Sequence, residues 1–130
     1  MIKGEFPALP NIYFSVVDVR DVAKLHVESL TNSRSDFKRI IASSCKSITF
    51  LEISRILRKI GYQKSTLKTV PNQIINLLAI FNKDMRTSAS MIKRGNFSLD
   101  LSQTIDIFNW KATPFYETMS DMSNSLKVFL

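Results

Sequence analysis

Tyr13-Phe14-Ser15-Val16-Val17-Asp18-Val19-Arg20-Asp21-Val22-Ala23-Lys24-Leu25-His26-Val27-Glu28-Ser29-Leu30 changes its period in the middle, and that change decides the fold class. Residues 13–17 are aromatic and β-branched, which predicts a short strand. Asp18 then offers a carboxylate to the first free amides of a helix, expected from about Val19 to Leu30. Val19, Val22, Ala23, His26, Val27 and Leu30 recur at spacings of three and four. They share one helical face, the one expected to pack. A strand that runs straight into an amphipathic helix is the building step of an α/β chain.

The same alternation continues downstream. Lys38 to Ser43, centred on Arg39-Ile40-Ile41-Ala42, reads as a second strand. Thr49-Phe50-Leu51-Glu52 matches a capping box, and Ile53, Ile56, Leu57 and Ile60 carry the helix on to Gly61, a left-handed C-cap. Leu67 to Val70 is a predicted strand closed by Pro71, and Asn72 opens an apolar helix through Ile75, Leu78, Ala79 and Phe81. Further helices are expected at about Arg86–Arg94 and Leu101–Phe108, with a short extended piece at Phe97–Leu99 between them. Thr113 as N-cap and Pro114 at the first helical position predict a last helix, which turns Phe115, Met119, Met122, Leu126 and Phe129 toward a core. The order is strand–helix repeated, then mostly helices. It is α/β in character and too short for a complete doubly wound sheet.

Composition narrows the function. The 130 residues hold 18 Lys+Arg against 11 Asp+Glu, a net charge of +7, with 45% hydrophobic residues, as in a soluble globular domain. One Cys excludes a disulfide framework and any multi-cysteine metal site, and a reducing, cytoplasmic setting fits best. The longest apolar stretch, Ile74 to Phe81, is far short of a bilayer span, so no membrane partner is expected. Met1 to Glu5 carry no apolar leader. The Ile, Lys, Asn, Ser and Phe enrichment reads as codon bias, which weakens the argument from charge to an acidic partner.

Side chains that carry chemistry are sparse. His26 is the only histidine, and its place on a helix face favours a packed, hydrogen-bonded residue over a catalyst. Cys45 lacks a nearby base, so nucleophilic catalysis is disfavoured. Asp18 and Asp21 are spaced to act as an acid–base pair, but helix capping and dipole stabilisation account for them more simply. Gly4, Gly61 and Gly95 are too far apart to cradle a phosphate, and no Tyr is followed four residues later by Lys. Neither a dinucleotide site nor a proton-transfer pair is present, so no catalytic, cofactor-binding or metal-ligating residue is assigned. Lys38-Arg39, the Arg55-Arg58-Lys59-Lys64-Lys68 set and Lys83-Arg86-Lys93-Arg94 allow a nucleic-acid face. No recognition motif accompanies them, and solvated charge is their simpler reading.

Five blocks give the chain a family resemblance. The run from Phe14 to His26 resembles the V-D-V-R-D-V-A-x-x-H segment of the extended short-chain dehydrogenase/reductases, in their dihydroflavonol 4-reductase and cinnamoyl-CoA/aldehyde-reductase branch. Lys38-Arg39-Ile40-Ile41 resembles the family's G-x-R-[FY]-I strand, and Ser47 to Arg58 its S-x-x-E-I-A-x-x-L-R helix. Thr69-Val70-Pro71-Asn72 resembles its V-P-N segment, and Phe108 to Thr118 its closing L-G-W-x-P-x-P-x-E-T run. The blocks are collinear over about residues 4–127. Asn109 stands where the family prefers Gly, and Ala112 replaces a proline. Asn tolerates positive φ, so the turn before Trp110 is expected to survive.

The resemblance implies the C-terminal, substrate-side portion of a Rossmann-type reductase, mostly helices with a few short strands. Residues 1–130 form one such portion, and the N-terminal NAD(P)-binding Rossmann half, on the same or a separate chain, is the implied partner. The implied parent activity is NAD(P)-dependent interconversion of a small-molecule carbonyl and an alcohol. NAD(P) belongs to the parent, and none is bound by this chain alone. Ile12, Tyr13, Phe14 and Phe81 are the implied substrate-pocket candidates, beside a reading of each as ordinary core. Asp18, Arg20 and Asp21 are implied structural anchors. Two alternatives stay open: a stand-alone, non-catalytic binding module derived from the fold, and a basic nucleic-acid binder. Unpaired strands also predict that the chain by itself aggregates or packs loosely.

Overall fold

The computed structural model describes residues 1–44 and 46–126, with residues 83–85 described in their backbone alone. Two-residue strands β1 (Tyr13–Phe14) and β2 (Ile48–Thr49) pair antiparallel, Tyr13 opposite Thr49 and Phe14 opposite Ile48. Helix α1 (Val19–Ser29) follows β1, and α2 (Phe50–Lys59) follows β2 directly. Then come α3 (Asn72–Phe81), α4 (Lys83–Arg94), α5 (Ser102–Phe108) and α6 (Phe115–Leu126). The described residues therefore form a mostly helical domain with one small antiparallel sheet, and no parallel sheet is found among them.

Local signals are followed closely at the helix starts. Thr49 accepts from the Glu52 amide while Glu52 Oε2 accepts from the Thr49 N–H at 2.6 Å, which completes the capping box. Asp18 caps α1 by accepting from the Arg20 amide at 2.9 Å. Gly61 (φ 109°) ends α2, and Asn109 (φ 49°) ends α5 in the left-handed conformation expected for the turn before Trp110.

The core is small. Leu9, Ile12, Leu25, Leu57, Ile75, Leu101 and Met119 are its buried apolar residues. α2 packs on α6, and the Tyr62 hydroxyl donates to the Ser123 carbonyl to tie their far ends. Ser54, fully buried on α2, donates to the Thr66 carbonyl. α3 and α4 pack on each other with Asn82 between them.

Several expectations are corrected. Lys38–Ser43 is extended but joins no strand, because side chains take up its backbone groups. Thr104 Oγ1 both accepts from the Ile41 N–H and donates to its carbonyl, and Trp110 Nε1 donates to the Ser43 carbonyl at 3.1 Å. Leu67–Val70 is reduced to one parallel bridge, Leu9 with Thr69. The strand expected over 13–17 stops at Phe14. α6 begins at Phe115, one residue later than expected, so Thr113 lies before the capping position, and its hydroxyl donates to Asp21.

The face of α1 expected to pack is the exposed one. Val19, Val27 and Leu30 are 77%, 67% and 84% exposed, and only Leu25, on the other side, is buried. Met122 and Leu126 on α6 are also exposed, and Met119 alone of that row is buried. Phe129 and Cys45 lie outside the described residues, as does the Lys83 side chain.

Candidate functional site

Three features of the molecule bear on function: a polar knot at the start of α1, an uncovered apolar stripe beside it, and a cleft beneath the small sheet. The knot holds the three anchor residues. Asp18, with 4% exposure, accepts from Arg20 Nε at 2.9 Å and Nη2 at 2.7 Å, and from the Thr118 hydroxyl at 2.8 Å. Arg20 reaches on to Asp121 at 2.8 Å. Asp21 accepts from the Thr113 N–H at 2.7 Å and the Thr113 hydroxyl at 2.9 Å. The first turn of α1 is thereby tied to α6 and to the segment before it.

Hydrogen bonds from the Arg20 side chain, then from its backbone amide and from Thr118, hold the Asp18 carboxyl far below the usual carboxylate range. The same contact with Asp18, followed by Asp121, raises Arg20. Both groups are ionised at neutral pH and already engaged. Asp18 and Asp21 bond different partners and do not form an acid–base pair.

The stripe of Val19, Val27 and Leu30 stands on solvent next to this knot. His26 shares it, exposed, with Nδ1 donating to the Val22 carbonyl at 2.8 Å. A second apolar surface lies on α3, where Ile75 is buried while Leu77, Ile80 and Phe81 are more than half exposed.

The cleft has a volume of about 740 Å³ and is walled by four distant segments. Asn11 and Tyr13 come from the β1 side, Lys46 and Ser47 from the approach to β2, Glu52 and Arg55 from α2, and Asn96 to Ser98 from the chain after α4. Backbone pairing fixes the walls: Lys46 bridges Ser98, and the Ser47 N–H donates to the Phe97 carbonyl at 3.2 Å. The Ser47 hydroxyl accepts from the Phe97 N–H and donates to Asn96 Oδ1 at 2.8 Å.

The four pocket candidates are not brought together. Tyr13 lines the cleft. Phe14 is half-buried against Phe50, with ring centroids 5.0 Å apart, and Ile12 is buried in the core. Phe81 stands 84% exposed at the end of α3. Lys46, Asn96 and Arg55 were not singled out as site residues by the sequence. Eighty-odd residues separate Asn11 from Asn96, and no spacing rule joins them. The one available signal was Arg55 on the polar side of α2, which reads as solvated charge.

Arg86 donates to the Ala79 and Ile80 carbonyls, and Arg94 lies 5.9 Å from the Phe97 ring centre. The three glycines do not meet in one turn. Gly61 and Gly95 follow the C-terminal ends of α2 and α4, where carbonyls repel an anion, and Gly4 lies in the lead-in. Among the described residues no three His, Cys, Asp or Glu cluster as metal ligands, and no helix is long and apolar enough to cross a membrane. Compared with family models, with curated proteins and with solved structures, the chain matches none.

Proposed function

We propose that this chain is the substrate-side portion of an NAD(P)-dependent reductase that interconverts a carbonyl and an alcohol, working against a nucleotide-binding half. The observation that carries this reading is the exposed apolar stripe of α1 and its C-cap, Val19, Val27 and Leu30, on the helix that begins within one of the resembling blocks. Uncovered apolar side chains on a regular helix are a surface for another protein body. The Asp18–Arg20–Asp21 knot holds that helix rigidly, so the stripe is presented in one orientation. NAD(P) is assigned to the other half, since this chain carries no glycine-rich phosphate loop. The contribution of this chain is docking and one wall of the substrate pocket.

The test is co-expression with the nucleotide-binding half of a related reductase, followed by NAD(P)H oxidation over a panel of aldehydes and ketones. Turnover is expected only with both halves present, and Leu30→Asp is expected to abolish the complex. No complex and no turnover, with the chain folded alone, would overturn the reading. A second reading, a stand-alone binding module, is favoured by the 740 Å³ cleft, whose walls all come from this chain.

A further inference from the structure

We infer that the cleft between β1, α2 and residues 96–98 binds the oxyanion of a small molecule, a phosphate or carboxylate group carried on an apolar or aromatic body. The argument begins with charge. Arg20, Lys24 and Arg34 each find a carboxylate, at 2.7, 3.8 and 2.7 Å. Lys46 and Arg55, on the cleft wall, form no ion pair among the described residues. Among the described residues the carboxylate on this wall is Glu52, and its Oε2 is already taken by the Thr49 N–H and hydroxyl at 2.6 and 2.9 Å. The wall thus carries two cations against one engaged anion.

Its neutral groups add donors. The Ser47 hydroxyl donates to Asn96 Oδ1, which leaves the Asn96 amide N–H groups to serve a ligand. Tyr13 adds a phenolic hydroxyl. Two cations on one wall favour an anion, and a guanidinium and an ammonium both suit a phosphate or carboxylate. The Tyr13 and Phe97 rings and Leu51 supply apolar contact for the body that carries the charge.

Size and stiffness agree with a small molecule. A cleft of 740 Å³ falls within the range of small-molecule sites. Its segments are locked by the Lys46–Ser98 bridge and the Tyr13–Thr49 pair, so little ordering remains to be done on binding. The inference stands on this cleft alone and needs no nucleotide-binding half, so its failure and that of the reductase reading are seen in separate experiments.

Equilibrium dialysis of the 130-residue chain reads bound ligand whether the chain is monomeric or self-associated. The probes are labelled inorganic pyrophosphate and labelled benzoate, each at about 0.15 M salt, where diffuse surface attraction is largely screened. One equivalent of at least one probe is expected to bind saturably, and the tighter probe assigns the group as phosphate or carboxylate. Arg55→Gln should weaken binding about tenfold and Lys46→Gln severalfold, while Lys24→Gln on α1 changes it less than about twofold. Both cleft side chains are exposed, and circular dichroism checks that each variant keeps its helices. Failure of both probes to saturate, more than one bound equivalent, or an equal loss in Lys24→Gln would overturn the inference.

Discussion

Helices α1 and α2 have nearly the same length and are both capped at their first turn by a side chain the sequence announces, yet they meet opposite surroundings. On α2 the predicted apolar row turns inward: Leu57 is 2% exposed, and Ile53, Ile56 and Ile60 are half-buried around it. On α1 the predicted row turns outward, and the helix is held by a single buried leucine and by the polar knot at its start. Periodicity fixes which residues share a face; what covers that face is decided by the rest of the chain. For α2 the cover is α6. For Val19, Val27 and Leu30 of α1 the described residues offer no cover, and the proposed partner half would supply one.

The largest effect should come from α2. Leu57→Ala removes a fully enclosed side chain between α2 and α6 and should destabilise the chain by about 3 kcal/mol, read by urea unfolding. A loss below about 1 kcal/mol would mean that the α2–α6 contact is loosely packed, and the contrast with α1 would fail.

A smaller effect, confined to acid, tests the knot that holds α1. The folded pKa of Asp18 is depressed by Arg20, so its contribution is complete above the unfolded carboxylate value of about 3.9. It is lost as pH falls from there through the folded value, because protonation then breaks the bonds from Arg20 and Thr118. Stability linked to this group should be flat between about pH 5 and 8 and fall below about pH 4. Asp18→Asn should remove that part of the acid limb while keeping an oxygen for the cap. An acid limb unchanged in Asp18→Asn would show that other carboxylates govern it.

The legible parts of the fold are those settled within a few residues. The Thr49–Glu52 box, the Asp18 cap, the Gly61 and Asn109 turns and the extents of α2 and α3 all follow from short-range geometry. What escaped the sequence is long-range. Residues 38–43 have strand-like composition, but Thr104, sixty-three residues from Ile41, supplies the bonds a neighbouring strand would have made. Thr113 has the right neighbours for an N-cap, yet α6 starts one residue later, at Phe115, and Thr113 instead bonds Asp21, ninety-two residues away. The cleft was hidden for the same reason. Asn11, Lys46, Arg55 and Asn96 meet only because 46–47 pairs with 97–98, a contact with no local signature. Of the cleft residues, the sequence offers Tyr13 as a pocket candidate by resemblance and Arg55 only as one of a basic set.

The smallest expected effect bears most directly on the comparison. Val27→Ser together with Leu30→Ser replaces side chains that are 67% and 84% exposed. Little apolar area leaves or enters water on folding at such positions, so stability should change by no more than about 0.5 kcal/mol per site. If α1 were packed as its periodicity suggests, the same pair would open a cavity and unfold the chain at far lower urea. The outward stripe separates these cases without reference to activity. It also separates folding from assembly. An unchanged urea midpoint with lost binding to the nucleotide-binding half means the stripe is retained for a partner, because the isolated fold gains nothing from it. An unchanged midpoint with binding intact would move the docking surface off α1, to the exposed leucines and phenylalanine of α3.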